Sequence, residues 1–398
     1  MSLPSIRLKP KADRRLRGGH LWIYSNEVDI AATPLKGLAP GEQVVVEQAG
    51  GKALGVAYIN PNNLICGRLV SRDSGQPLDR SLLVHRLNLA LSLRTRCFDK
   101  PCYRLVFGES DGLPGLVVDR FFDVLVVQIS TAGMERLKGE IVDALNQVLR
   151  PAAILLRNDG RMRAAEGLES YVEAALGEVP ETVPLEENGV RFEAPVREGQ
   201  KTGWFYDHRM NRARLQHYAK GKRVLDVFSY IGGWGVQAAA AGAEQVLCVD
   251  GSETALSRVQ ANAALNNAGD RVATLHGDAF EALRQLKADN ERFDIVVVDP
   301  PAFIQKRKDI RNGERAYDRI NQLAMRLLAR DGLLVSASCS MHLGRDRLVD
   351  ILRAGSRQLD RQGQILEQGH QGPDHPVHPA IPETDYLKAM FMRVLANG

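Results

Sequence analysis

The sequence predicts an α/β protein of two or three domains whose carboxyl half is a doubly wound parallel sheet. Three observations carry this. From about Gly199, apolar strand-like runs alternate regularly with helical spacing. Three of those runs end in chemistry: a glycine-rich turn after Arg223–Phe228, an aspartate after Phe293–Val298, and a cysteine after Leu333–Ser338. Ligand sites of open α/β sheets lie at such carboxyl ends. The first 72 residues, by contrast, are short β-type runs broken by Gly18-Gly19 and Pro40-Gly41.

A length of 398 residues leaves ample core, and 44% hydrophobic with 25% charged residues is ordinary for a globular chain. The net charge of +4 does not by itself indicate nucleic acid, but its distribution does. Arg7, Lys9, Lys11, Arg14, Arg15 and Arg17 crowd the amino end, and Lys306, Arg307, Lys308, Arg311, Arg315 and Arg319 follow Asp299. Clusters like these beside site-like elements suit a polyanion. The five cysteines form no CxxC pair or zinc spacing, and an odd, sparse set fits a reducing cytosol. No signal-peptide pattern and no membrane-length apolar run is present, so a cytoplasmic protein is expected and no membrane partner.

In chain order, Gln43–Glu47, Ala53–Ile59 and Leu64–Val70 are expected strands of the first module, residues 1–72. Asp79 to Phe98 spaces its leucines as a connecting helix. The middle segment, up to residue 198, reads β-β-α-β-β. Strands are expected at Leu113–Val118, Val124–Ile129 and Ala153–Arg157, a helix at Met134–Leu149, and a hairpin around Glu187-Asn188-Gly189. Residues 199–398 carry strands at Val224–Phe228, Gln245–Asp250, Val272–His276, Ile295–Asp299 and Leu333–Ser338. Helices are clearest at Glu253–Asn267 and Ala316–Ala329, with a last strand at Leu387–Val394.

Gly233-Trp234-Gly235-Val236-Gln237-Ala238 fits G-x-G-x-x-G/A, and Asp250 closes the next strand. Such a turn lets backbone approach a ligand, and the acid accepts hydrogen bonds from ribose hydroxyls. That much leaves NAD and other adenosine-containing cofactors open. Asp299-Pro300-Pro301-Ala302-Phe303 weighs against NAD, because a dehydrogenase has no use for it. The series DVFSYIGGWG, CVDGS, HGDAF and DPPAF resembles a class I S-adenosylmethionine (SAM) methyltransferase with a Rossmann-like sheet. The resemblance implies that Asp226, Tyr230, Gly232, Gly233 and Gly235 support the methionine part of SAM. It also implies that Asp250 and Ser252 serve the ribose, that Asp278, Ala279 and Phe280 flank the adenine, and that Asp299 borders the cofactor. The segment QKTGWFYDHR, with Thr202 and Phe205, looks like one that closes over SAM in an RNA-modifying branch. GGHLWIY, PGEQVVVE and GKALGVAYINP resemble the PUA domain, a small RNA-binding β-barrel.

Cys339 decides the reaction. Ring or exocyclic nitrogens of a base are already nucleophilic, whereas C5 of cytosine is not. Thiolate addition at C6 makes an enamine-like ring whose C5 can take the SAM methyl group. Asp299 could then hold the N3/N4 edge of the cytosine, and in the usual strand order the two side chains converge. The bland alternative for Cys339 is a small buried hydrophobe, against which stand its serine neighbours and its strand-end position. Cys248, inside a strand, reads as core.

With Cys339 included, the chain resembles the ribosomal RNA large subunit methyltransferase I family, PUA-containing 23S rRNA cytosine-5 methyltransferases, over nearly its whole length. Many other RNA cytosine-5 methyltransferases carry a second cysteine where Pro301 stands. The rivals are a guanine-N methyltransferase, a non-catalytic RNA-binding assembly factor and, remotely, an NAD oxidoreductase. A homodimer is left open. His370, Asp374, His375 and His378 fall in a proline-rich loop, and no metal is expected there.

Overall fold

The computed structural model describes residues 3–396. The chain folds as two compact units. One takes in everything up to Val183 together with Ala194–Tyr206 and Pro373–Thr384. The other takes in Pro184–Glu193, Asp207–Gly372 and the chain from Asp385 onward.

The first unit holds two five-stranded sheets. In one, the strand order is Ser5–Arg7, Glu42–Glu47, Ala53–Ile59, Ile65–Ser71, Trp22–Tyr24. Val44 and Val46 alternate inward as a period of two requires, and they meet Ile6, Ile23, Ile59 and Leu69 in the core. The two three-residue strands at its edges were not expected, being too short for any period to register.

The second sheet runs Tyr171–Leu176, Ala153–Asn158, Val124–Ile129, Leu116–Phe121, Cys102–Phe107. Its outer strands were also not expected, and Tyr171–Leu176 is an edge that carries exposed Glu173 and Ala174. The helix Arg80–Cys97 is as expected. Asp79 caps it by accepting the N–H of Leu82 at 2.9 Å, and Leu83 and Leu87 are buried. The two sheets share one apolar cluster: Val56, Tyr58 and Val70 pack with Leu105, Val118 and Val127. The ring of Tyr58 lies flat on Gly133, where an added Cβ would come within 2.1 Å of it.

In the second unit a seven-stranded sheet is built from β1 (Arg223–Val227), β2 (Gln245–Asp250), β3 (Val272–His276), β4 (Phe293–Val298), β5 (Leu328–Ser338), β6 (Arg361–Gly369) and β7 (Lys388–Ala396). The order is β3-β2-β1-β4-β5-β7-β6. The first five are parallel, and β7 runs antiparallel to both β5 and β6. Leu225, Val227, Val296, Val298 and Leu334 are buried, which is why these strands read as continuous apolar runs. β6 was not expected: RQGQILEQG is a polar edge with no such run. The hairpin Val183–Glu187/Val190–Ala194 pairs only with itself. The chain turns back across the sheet between β1 and β4, so the crevice for a ligand opens at their carboxyl ends. Among the described residues no helix is long and apolar enough to cross a membrane.

Candidate active site at the sheet's switch point

β1 ends in a turn of unusual backbone. Phe228 and Tyr230 have φ of 68° and 49°, and Gly232 has 87°. Positive φ is costly outside glycine, so the turn must be held from outside. Asp226 holds it from below: its Oδ2 accepts the Gly235 N–H at 2.8 Å. Asp250 holds it from the side. Its Oδ2 accepts the Tyr230 N–H at 2.8 Å and its Oδ1 the Ser252 N–H at 2.9 Å. The glycines let the turn pack closely on the core: a Cβ on Gly235 would fall 2.5 Å from the Cys248 sulfur, and one on Gly232 2.7 Å from Val236.

Asp226 is fully buried, and its Oδ1 has no hydrogen-bond partner among the described residues. Burial pushes its carboxyl up to about 7, opposed by the Gly235 N–H and reinforced by Asp299 and Asp250. Cys248, 4.0 Å from Asp226, has its thiol pushed well up by burial and is core, as expected.

Of the adenine-flanking set, Asp278 caps the helix Ala279–Ala288, its Oδ1 accepting from the N–H groups of Phe280 and Glu281. Ser252 likewise caps Glu253–Leu265. Ala279 is buried. Phe280 lies 6.2 Å from Phe303, which also meets Tyr317 at 4.9 Å and Phe228 at 6.4 Å. The guanidinium of Arg319 sits over Phe280 at 5.1 Å. Gly233 stands within the same turn.

Asp299, just beyond β4, faces two ring nitrogens. Trp234 Nε1 donates to its Oδ2 at 3.1 Å. His208 Nε2 lies 3.2 Å from its Oδ1, off the axis of an ideal hydrogen bond. Asn211 Nδ2 reaches both His208 Nδ1 (3.1 Å) and the carbonyl of His370 (3.2 Å). The amide therefore donates to the His370 carbonyl, and the Nε2 edge of the His208 ring is turned toward Asp299. Burial, the strongest single influence, raises the Asp299 carboxyl. The positive charge of His208, its hydrogen bond and that of Trp234 together outweigh it and hold the group below the usual carboxylate range. His208, Asn211 and Trp234 were not singled out by sequence. Their work depends on neighbours far along the chain.

Cys339, half-buried, follows β5. The hydroxyls of buried Ser338 and Ser340 each lie 2.9 Å from Tyr317 Oη. The N–H of Ser340 donates to Ser338 Oγ at 3.1 Å, and Ile304 N–H reaches Ser340 Oγ at 3.3 Å. The loop after Asp299 is thus tied to the loop that carries the thiol, and β4 and β5 are adjacent with Val298 opposite Ser336.

Thr202 and Phe205 belong to the first unit. Thr202 is buried with its hydroxyl donating to Asp119, and Lys201 Nζ lies 4.6 Å from the Phe205 ring. The loop with the histidines is pinned by Asp374, which accepts the N–H of Arg104 at 3.1 Å and contacts His375 Nδ1 at 3.1 Å. His370 Nδ1 lies 2.6 Å from the carbonyl of Gln371. Among the described residues no group of three His, Cys, Asp or Glu is arranged to hold a metal.

The residues present fit SAM. The close-packed glycine turn, the orphaned oxygen of Asp226 and the oriented carboxylate of Asp250 suit an adenosine-containing cofactor at the switch point. Comparison with known proteins agrees. The family model for S-adenosylmethionine-dependent methyltransferases matches residues 125–393, and that for PUA-like domains matches residues 6–72. A protein of Streptococcus mutans assigned as a SAM-dependent methyltransferase superposes with a TM-score of 0.83 at 21% identity, covering 98% of this chain and all of that one. SMU.776, assigned as a methyltransferase and solved with SAH, gives the same TM-score and identity over 99% of this chain and all of that one. Both likenesses speak to fold. Among curated sequences, ribosomal RNA large subunit methyltransferase I of Erwinia tasmaniensis is 36% identical, covering 96% of this chain and 97% of that protein. Its namesake in Vibrio cholerae is also 36% identical, over 98% and 100%. Identity at this level over nearly the whole length of both chains means that the chain belongs to the ribosomal RNA large subunit methyltransferase I family.

Proposed function

We propose that the chain methylates C5 of one cytosine in 23S ribosomal RNA, with SAM as donor and Cys339 as nucleophile. The observation that carries the reading is the pairing of strand ends: a half-buried thiol after β5 beside an ionised carboxylate after β4. Nitrogen methylation needs no thiol, so a guanine-N activity would leave Cys339 and its serine clamp without a purpose.

Gly232, Gly233, Gly235 and Tyr230 would hold the methionine end of SAM, with Asp226 bracing them from beneath. Asp250 and Ser252 would take the ribose, and Asp278, Ala279 and Phe280 would border the adenine. Bound SAM supplies an electrophilic methyl group. The Cys339 thiolate forms a bond to C6, and the C5=C6 electron pair becomes available at C5. As charge builds on the ring, N3 takes a proton from water, and the Asp299 carboxylate, held ionised by His208 and Trp234, stabilises that protonated edge until the proton returns to water on elimination. Carbon 5 takes the methyl group as the sulfonium–methyl bond breaks. A base then removes the C5 proton, the C5=C6 bond re-forms and the thiolate leaves. Residues 1–72 are assigned to RNA docking, 73–198 to a connecting helix and middle domain, and 199–398 to methyl transfer.

Mapping 5-methylcytosine across 23S rRNA from cells with and without the gene tests this. One cytosine should lose its methyl group on deletion and regain it with the wild-type gene but not with Cys339→Ala. An unchanged 5-methylcytosine map, with a methylated guanine lost instead, would overturn it.

A further inference from the structure

β7 is an apolar strand headed by a lysine. Lys388 lies opposite Ser338 in the β5–β7 pair and is only 6% exposed. A buried ammonium is costly unless it is paired or put to use. Among the described residues Lys388 makes no ion pair. Its Nζ donates to two carbonyls, Ser340 O at 2.7 Å and Tyr386 O at 2.8 Å, and among the described residues no acceptor takes the third N–H. Ser340 is the residue directly after Cys339, so the lysine grips the turn that presents the thiol.

We propose that Lys388 is a positioning residue for the Cys339 thiolate: it fixes the turn through the Ser340 carbonyl, and its charge favours thiolate over thiol. The inference rests on Cys339 being the nucleophile. The thiol proton passes to bulk water before attack. As the sulfur–C6 bond forms, negative charge leaves the sulfur, and it returns when that bond breaks, so the ammonium serves both the resting and the departing thiolate. The groups acting on Lys388 come from several elements. Cys339 and Asp385 draw its proton tighter, and Arg345, at the start of the helix Arg345–Gln358, loosens it. Tyr317, on the helix Ile310–Leu327, reaches the same turn through Ser338 and Ser340. Burial is the largest influence and pushes the amine down to about 8, so the cation is present at neutral pH.

The test is the pH profile of Cys339 alkylation by iodoacetamide in the full chain without RNA. It is read from the Cys339 peptide by mass spectrometry because Cys97 is exposed and would react as well. The wild-type midpoint should lie well below the ordinary thiol value of about 8.5. Lys388→Met should raise it by about one unit or more, cutting alkylation at pH 7 about tenfold, while Lys388→Arg keeps most of the effect. SAM affinity and melting temperature report folding separately. An unshifted midpoint in folded Lys388→Met overturns the proposal. Should that variant not fold, the wild type decides alone, since a midpoint at or above the ordinary thiol value overturns it too. A low, lysine-dependent midpoint in an enzyme that forms no 5-methylcytosine would support the pairing while removing the assigned reaction.

Discussion

Asp226 is a charge sealed under a glycine turn, and folding has to bury it. Its carboxyl sits at about 7 in the folded chain against an ordinary 3.8. The folded state therefore binds this proton more tightly than the unfolded state does. The stability that follows is fully present below about pH 4 and is lost as pH rises through 7. Three pH units at about 1.4 kcal/mol each set an upper bound of about 4 kcal/mol for the loss. Asp226→Asn removes the charge but leaves a carbonyl that can accept the Gly235 N–H. We expect the variant to be the more stable protein at pH 8, by at least about 1 kcal/mol, with a flatter dependence between pH 4 and 7. Urea midpoints at pH 5 and pH 8 for both proteins check this, and parallel shifts in the two would contradict it. The turn's second anchor, Asp250, shows how far single residues could be read in the sequence. Its place at the end of β2 marks it as an acid of the site, but its bonds to the N–H groups of Tyr230 and Ser252 depend on the fold.

The helix Ile310–Leu327 places Arg311, Arg315 and Arg319 four residues apart, all exposed on one side. Lys306, Arg307 and Lys308 approach it, and none of these six forms an ion pair among the described residues. The amino-terminal cluster is half compensated: Arg7 pairs with Glu47, Arg15 with Glu27 and Arg17 with Asp13, while Lys9, Lys11 and Arg14 form no ion pair among the described residues. The uncompensated charge beside the site is therefore the stronger candidate for RNA phosphates. Arg319 sits over Phe280, so the test spares it. Arg311→Gln with Arg315→Gln should lower the slope of log affinity against log salt by about 1.5–2 for substrate RNA while SAM affinity stays unchanged. Filter binding between low and moderate salt checks this, and an unaltered slope would move the phosphate track elsewhere. Deleting residues 1–72 is a poorer probe, because Val56, Tyr58 and Val70 would be stripped from the core they share with the middle segment.

Across the whole molecule, what could be read from sequence follows from burial. β1, β4 and the second half of β5 are buried on both faces, so their apolar runs show plainly, whereas the edge strand β3 exposes Ala273 and His276. β6 and the short edge strands bury little and leave no run to read. The strand-end positions of Cys339, Asp250 and Asp299 were legible. His208 and Lys388 were not, because the first gains its role only beside Asp299 and Trp234 and the second only across from Ser338. A lysine opening an apolar strand was nevertheless a visible irregularity. The central claim joins these parts: SAM, a thiol nucleophile and a cytosine meet at one sheet edge. RNA carrying 5-fluorocytosine at the target tests it most directly, since fluorine cannot leave as a proton does. Wild-type enzyme with SAM should give a covalent protein–RNA band on a denaturing gel, absent without SAM and absent for Cys339→Ala. Asp299→Asn should bind SAM yet form the band slowly. Full methylation of normal RNA by Cys339→Ala, with no trapped band from the wild type, would contradict the account.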